Sequence, residues 1–108
     1  DRLEKRGADF TAVLTAGDSL AYGAMLAIQQ AGYRVPEDFS VVGMDDLPLS
    51  GFSDPPLTTM HIPMRHIGSA ALSLLLDDLG VTRLPARRVE LACWLVERAS
   101  TAPAKPGR

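Results

Sequence analysis

Two short apolar runs that flank a stretch of helical spacing most constrain the fold of this chain. The runs are residues 11–15 and 39–44, and each is bounded by polar or turn-forming residues, as is typical of strands buried on both faces of a parallel sheet. Between them, apolar residues recur at helical spacing over residues 20–31, and Gly32 is placed to end the helix. A helix between two such strands predicts a parallel pair joined by a right-handed crossover.

The chain after the second run predicts further elements of the same kind. Residues 45–56 are rich in Asp, Ser, Gly and Pro and predict a loop, and residues 57–60 predict a third strand. Pro63 is suited to the first turn of a second helix, which extends to Leu79. Alternating apolar residues predict a half-buried strand over residues 88–98. The predicted fold class is therefore α/β, a parallel sheet flanked by helices.

The two ends of the chain differ in character. Residues 1–6 are charged and resemble the end of a helix that Gly7 stops, which suggests a chain that begins within a domain. Residues 101–108 are rich in Pro and Ala and predict a disordered tail. A length of 108 residues fits one small domain or part of a larger one.

Composition argues against several classes of protein. The formal net charge is −2 and no basic stripe is visible, so this segment alone is not expected to bind DNA. No apolar run approaches the roughly 20 residues that span a bilayer, so no membrane partner is expected. The single cysteine, Cys93, excludes an internal disulfide and a zinc site built of several thiolates. We expect Cys93 to be a small buried hydrophobe inside a strand.

Patterns typical of catalytic sites are missing from the sequence. The adjacent carboxylates at positions 45–46 and 77–78 would point to opposite faces of a strand, which is poor geometry for an acid–base pair. His61 and His66 are five residues apart and do not align on one helix face. Neither a Gly-rich phosphate loop nor a G-x-S-x-G motif is present. We therefore expect a chain that is not an enzyme, with no cofactor and no metal.

Polar residues follow both apolar runs, where an open parallel sheet binds its ligands. Gly17 and Asp18 follow the first run, and Asp45 and Asp46 follow the second, so all four should reach the same rim. An ionised carboxylate is a pure acceptor that suits adjacent hydroxyls of a sugar or a ring N–H group. Asp18 has an alternative role as a helix N-cap, which it or Ser19 should supply. Asp45 has no evident helix to cap, which favours a ligand contact.

Four stretches of the chain resemble the LacI/GalR family of bacterial repressors. Residues 32–46 are very similar to the family pattern "G..VP.D.SV.G.DD", and residues 11–24 resemble its strand and helix "TA(I/V)…(N)D…A.GA". Residues 55–60 resemble "P.LTT(V/I)", and residues 95–100 resemble the closing "L..R.S". Order and spacing agree up to about Ser100. Family members carry an N-terminal helix-turn-helix head followed by a two-lobed sensor like that of the periplasmic sugar-binding proteins.

The resemblance implies that this chain is the C-terminal part of such a type I periplasmic-binding-protein-like sensor. Residues 1–60 would form part of the C-terminal lobe, residues 61–86 the hinge crossing and an N-terminal-lobe helix, residues 87–100 a returning strand, and residues 101–108 the tail. The implied function is effector sensing and homodimerisation in a cytoplasmic transcriptional repressor. Operator DNA would be bound only through a helix-turn-helix domain outside this chain. The alternative is a periplasmic sugar-binding receptor of a transporter, which shares the lobes.

The resemblance also assigns ligand-binding residues. Asp45 matches the aspartate that typically hydrogen-bonds the effector, and Asp18 lies beside that site. Gly17 stands where many relatives have Asn. Ile62 and Met64 stand where relatives place a polar residue and a stacking aromatic. These departures imply a different or less polar effector, either a sugar or a nucleobase-like metabolite.

The family's dimer interface matches residues 19–30, with help from the loop at residues 49–54. Large apolar side chains on an exposed face favour association. The expected anchors on this surface are Tyr22, Met25, Leu26, Leu49 and Phe52. For Met25 the alternative is that the side chain packs on the sheet.

Overall fold

The computed structural model of the chain describes residues 9–80 and 85–106. Its elements in chain order are β1 (Ala12–Leu14), α1 (Asp18–Gln30), β2 (Ser40–Asp45), a short 3₁₀ helix (Pro48–Gly51), β3 (Thr58–His61), α2 (Met64–Asp78) and β4 (Trp94–Val96). The helix predicted before Gly7 lies outside the described residues.

The four strands form one sheet in the order β1-β2-β3-β4. β1 pairs with β2 and β2 with β3 in parallel, which confirms the parallel pair predicted around the first helix. β4 pairs with β3 in the antiparallel direction, so the sheet is mixed and not wholly parallel. In this register Asp45 is the partner of His61, and His61 is the partner of Trp94. The predicted α/β class is confirmed, with one antiparallel edge strand.

Helix α1 covers one face of the sheet and builds the hydrophobic core. The core consists of Ala21, Met25, Val35, Val41 and Leu57, each at most 8% exposed. α1 ends as the sequence predicted: Gly32 follows it with φ +85°, a conformation that glycine adopts without the cost of a side chain.

The opposite face of the sheet is open, which corrects the expectation of strands buried on both faces. Leu14 is 76% exposed, Met44 is 37% exposed and Leu95 is 55% exposed. The register places these three on one face, because Leu14 pairs with Val42 while Met44 and Leu95 both pair with Met60. α1 packs on the other face and α2 contains no buried residue, so neither of the two long helices covers these apolar side chains.

Helix α2 extends away from the sheet. It contains no buried residue, and Leu75, Leu76 and Leu79 are each more than half exposed. The radius of gyration is 19.0 Å, against about 13 Å for a compact domain of this length. Val89 and Leu91 lie along α2 beside Ile67 and Leu74. In the described part of the chain, no helix is both long enough and apolar enough to cross a membrane.

The segment after α2 forms less strand than its alternation predicted. Strand structure is confined to Trp94–Val96, because the partner strand β3 has only four residues and pairs with them through Thr59–His61. Cys93 is exposed, so the prediction that it is buried in a strand was wrong.

Residues 101–106, predicted as part of a disordered tail, lie along the start of β2. The N–H of Ala102 donates to Oγ of Ser40 at 3.1 Å, and Nζ of Lys105 lies 3.2 Å from Oδ1 of Asp38. Hydrogen bonds from Arg34, and then from Lys105, hold the pKa of Asp38 well below its usual range. These contacts give the tail a defined course that its composition does not indicate.

Candidate functional site

The loops that follow β1 and β2 meet at one rim of the sheet. Oδ2 of Asp45 lies 3.4 Å from the point that a Cβ would occupy on Gly17. His61, at the end of β3, is the lateral neighbour of Asp45. The structure therefore brings Gly17 and Asp45 together, with a half-buried carboxylate beside a residue that has no side chain.

The backbone at the end of β2 is strained at two consecutive residues. Asp45 has φ 119° and Asp46 has φ 56°, both in the region that side-chain-bearing residues rarely adopt. Each such conformation costs on the order of 1–3 kcal/mol and persists only where surrounding structure enforces it. Strain of this kind concentrates at ligand sites, which makes the Asp45–Asp46 turn a candidate for function.

Asp46 interacts with two side chains from later in the chain, His61 at the end of β3 and Arg98 after β4. Its Oδ2 lies 2.8 Å from Nδ1 of His61, and its Oδ1 accepts from Nη2 of Arg98 at 2.7 Å. Burial alone would raise the pKa of Asp46, but the hydrogen bonds from His61 and Arg98 outweigh it and lower the pKa. An ionised Asp46 means that Nδ1 of His61 carries the proton and donates it. The cluster thus ties the ends of β2 and β3 to the chain after β4.

Asp18 is a buried structural group, which corrects its predicted role as a helix cap. The N-cap of α1 is Gly17, and no side chain caps that end, neither that of Asp18 nor that of Ser19. The Asp18 side chain is inaccessible to solvent. Its carboxylate accepts from the N–H of Leu47 at 2.7 Å, from Oγ of Ser50 at 2.6 Å and from Oγ1 of Thr59 at 2.5 Å.

Gly43 makes room for this carboxylate. A Cβ at Gly43 would collide with Oδ1 of Asp18 and lie 2.9 Å from Cδ2 of Leu57. Sequence reasoning missed Gly43, Ser50 and Thr59 as members of one network. The available signal was the presence of Gly43 and Thr59 in the motif segments at residues 32–46 and 55–60, while Ser50 lies between those segments.

The Asp18 network reaches the outer surface of α1. Ser50, which donates to Asp18, lies 2.7 Å from the hydroxyl of Tyr22 on α1. Nε2 of Gln29 also donates to the carbonyl of Asp54 at 3.1 Å. The loop after β2 is therefore fixed both to the rim and to the helix.

The predicted dimer residues separate into exposed and buried groups. Leu26 is 55% exposed, Leu49 is 56% exposed and Phe52 is 86% exposed, and Tyr22 is half-buried. Met25 is 3% exposed and belongs to the core, which is the alternative left open for it.

Ile62 and Met64 lie between β3 and the first turn of α2. Ile62 is half-buried, and Met64 is the first residue of α2 and 47% exposed. Their predicted contact with a ligand stays a prediction.

Trp94 is an aromatic residue at the rim that sequence reasoning did not assign to the site. Its ring stacks on His61 with centroids 4.2 Å apart and an angle of 21° between the planes. The residue is still 53% exposed. Only the antiparallel register of β4 brings it beside His61, and that pairing is not visible in the local sequence.

Residues 1–101 match the family of periplasmic binding protein-like domains. The chain belongs to this family. Among curated proteins, the HTH-type transcriptional regulator MalR of Streptomyces coelicolor is 48% identical over 101 residues, which cover 94% of this chain and 29% of MalR. The chain thus spans about three-tenths of the length of this relative. The resemblance to LacI-type regulators is confirmed.

Solved structures of LacI-type regulators share the fold. A LacI family transcriptional regulator from Enterococcus faecalis V583 with bound ribose aligns with a TM-score of 0.79 and 33% identity, over 94% of this chain and 38% of its own. The lac repressor dimer bound to operator and the anti-inducer ONPF aligns with a TM-score of 0.75 and 36% identity, over 94% of this chain and 35% of its own.

Proposed function

We propose that this chain is the effector-sensing and dimerisation segment of a LacI-type transcriptional repressor that acts in the cytoplasm and is not an enzyme. The observation that carries the proposal is the Asp45 carboxylate, which is held on a strained backbone beside Gly17 at the rim where parallel strands end. Operator DNA is bound by a head outside this chain. Curated relatives named as regulators favour this function over that of a periplasmic receptor.

Asp45 is the residue suited to hold the effector. Its carboxylate is half-buried and accepts hydrogen bonds, so it suits two adjacent hydroxyls of a sugar or a ring N–H. Charge-assisted bonds of this kind contribute roughly 1.5–3 kcal/mol each. Asp18 has a structural role beside the site, because its carboxylate accepts three hydrogen bonds from the protein itself. A relative from Enterococcus faecalis holds ribose, which fits a polyol effector.

The open surfaces favour a second lobe beyond this segment. The sheet body through β3 belongs to one lobe, and α2, with no buried residue, belongs to the other. The crossing at Ile62–Pro63 and the return before β4 are then the hinge. Effector binding between the lobes shifts the population of lobe arrangements by its differential affinity for them.

The outer face of α1 and the loop after β2 are the dimerisation surface. Leu26, Leu49 and Phe52 expose large apolar side chains there. Patches of this kind on otherwise polar surfaces mark interaction sites. The lac repressor is a dimer on its operator, which fits the same use of this surface.

Operator release tests the proposal in the whole protein that contains this chain. A panel of sugars and nucleobases is added to the protein–operator complex, for the wild type, for Asp45→Ala and for Asp78→Ala, an exposed aspartate away from the rim. We expect one compound to release wild type and Asp78→Ala from DNA, while Asp45→Ala binds operator and does not respond. Equal release of all three proteins would contradict the assignment of Asp45.

A further inference from the structure

We propose that Trp94, stacked on His61, is a platform for a second ring of the effector, which makes the effector a sugar of at least two rings. The inference rests on the proposed function and adds a specificity-determining residue to the same site. Three observations carry it: the alignment of Asp45, His61 and Trp94 across the sheet, the exposure of Trp94, and the hydrogen bonds that fix His61.

The alignment sets the span of the site. Asp45, His61 and Trp94 are successive register partners on β2, β3 and β4. Neighbouring strands lie about 4.8 Å apart, so the backbone of Trp94 is roughly 10 Å from that of Asp45. The His61 ring, stacked on Trp94, lies between them. A ligand that contacts both Asp45 and the exposed part of Trp94 therefore has to extend over His61, which requires more than one sugar ring.

The exposed indole offers the contact that sugar rings require. One face of Trp94 stacks on His61, yet the residue remains 53% exposed, so area is left for a second partner. Aromatic side chains bind through an apolar face and contribute specific packing beyond area burial. The C–H face of a sugar ring is apolar in the same way. Ile62 and Met64 are not aromatic, so Trp94 supplies the stacking surface on this side of the rim.

The platform is rigid because a hydrogen bond to Asp46 fixes the His61 ring. His61 donates to Asp46 at 2.8 Å, and Arg98 donates to the same carboxylate at 2.7 Å. A second bond from Arg98 goes to the carbonyl of Leu57 at 2.9 Å, on the chain that leads into β3. A preorganised aromatic surface loses less freedom when a ligand binds.

The test is titration calorimetry on the whole protein with maltose, cellobiose and glucose. We expect the wild type to bind one disaccharide, Trp94→Ala to bind it about tenfold more weakly, and Trp94→Phe to fall between them. Glucose binding is expected to be equal in all three proteins. Tyr33→Ala is the matched control, because Tyr33 is a partly exposed aromatic before β2, at the end of the strands away from the rim, and meets Phe39 edge to face.

The outcomes separate this inference from the proposed function. Equal disaccharide affinity in the wild type and both Trp94 variants would overturn the platform while leaving Asp45 and effector sensing intact. A wild type that binds neither maltose nor cellobiose would overturn the assignment of a two-ring sugar but not the sensing function. Circular dichroism melts of each variant separate a lost contact from a lost fold.

Discussion

Thr59 donates a hydrogen bond from its hydroxyl to Oδ1 of Asp18 at 2.5 Å, and both side chains are inaccessible to solvent. The bond joins the start of α1 to the middle of β3 across the intervening strand. Two further donors, Leu47 and Ser50, bring the loop after β2 to the same carboxylate. The loop that presents Asp45 is therefore positioned by a buried ionisable residue that contacts no solvent.

Removal of the Asp18 carboxylate should destabilise the chain strongly. Asp18→Ala leaves three donors without this acceptor, two of them buried and one half-buried, and each loss of a buried donor's partner costs about 1–3 kcal/mol. We expect a loss of at least about 3 kcal/mol in the free energy of unfolding, measured by urea denaturation of the whole protein. Asp78→Ala, at an exposed aspartate, should change it by less than about 0.5 kcal/mol. A loss below about 1 kcal/mol for Asp18→Ala would refute the structural role.

Asp45→Gly should stabilise the fold while it removes the effector response. Glycine relieves the strain at φ 119°, on the order of 1–3 kcal/mol, and loses about 0.5–1 kcal/mol through greater freedom of the unfolded chain. The expected net gain is about 1 kcal/mol, read as an increase in the urea midpoint. Asp46→Gly is the matched comparison: its φ is 56°, but it loses the bonds to His61 and Arg98 and should be less stable than wild type. If both variants are destabilised alike, strain at Asp45 is not the relevant feature.

Asp46 should make stability depend on acid pH. Its folded pKa is lowered, so its contribution is fully present above the unfolded pKa of about 3.9 and is lost as pH falls through the folded value. Asp46→Asn should therefore be less stable than wild type by about 1–2 kcal/mol at pH 7, and the gap should narrow below about pH 4. Urea denaturation at pH 7, 5, 4 and 3 measures it. A gap independent of pH would show that the charge of Asp46 is not what matters.

Phe52→Glu should weaken dimerisation of the whole protein. Phe52 is 86% exposed, and burial of such a side chain contributes about 1.5–3 kcal/mol. A charge at this position should raise the dimer dissociation constant at least about tenfold in sedimentation equilibrium. Ala104→Glu adds the same charge at an exposed position away from α1 and should leave the constant unchanged. Equal dimerisation of both variants would remove Phe52 from the interface.

The βαβ unit could be predicted because its signals are local. Apolar runs, helical spacing and Gly32 lie within the first 44 residues, and each reports on its own neighbourhood. The roles of Asp18 and Trp94 could not be predicted, because they depend on contacts between residues distant in sequence. Asp18 meets Thr59 across 41 residues, and that contact turns an expected helix cap into a buried anchor.

The remaining misses concern surfaces. The sequence pattern marked β1 as buried on both faces, but Leu14 lies on a face that no described helix covers. Cys93 is exposed for a similar reason. The alternating pattern indicated burial in a strand, but the partner strand β3 has only four residues and its pairing with β4 does not extend to Cys93. An apolar pattern shows that a side chain can be buried. It does not show whether the residues that would bury it belong to the described part of this chain.

The most direct test of the account is equilibrium binding of the releasing compound to the free protein, compared for wild type and Asp45→Asn. Asparagine keeps the size of the side chain and removes the charge that strengthens hydrogen bonds to hydroxyls. The account predicts affinity at least about tenfold weaker for Asp45→Asn, with operator affinity unchanged. Equal affinity of the two proteins for that compound would contradict the claim that Asp45 at this rim holds the effector.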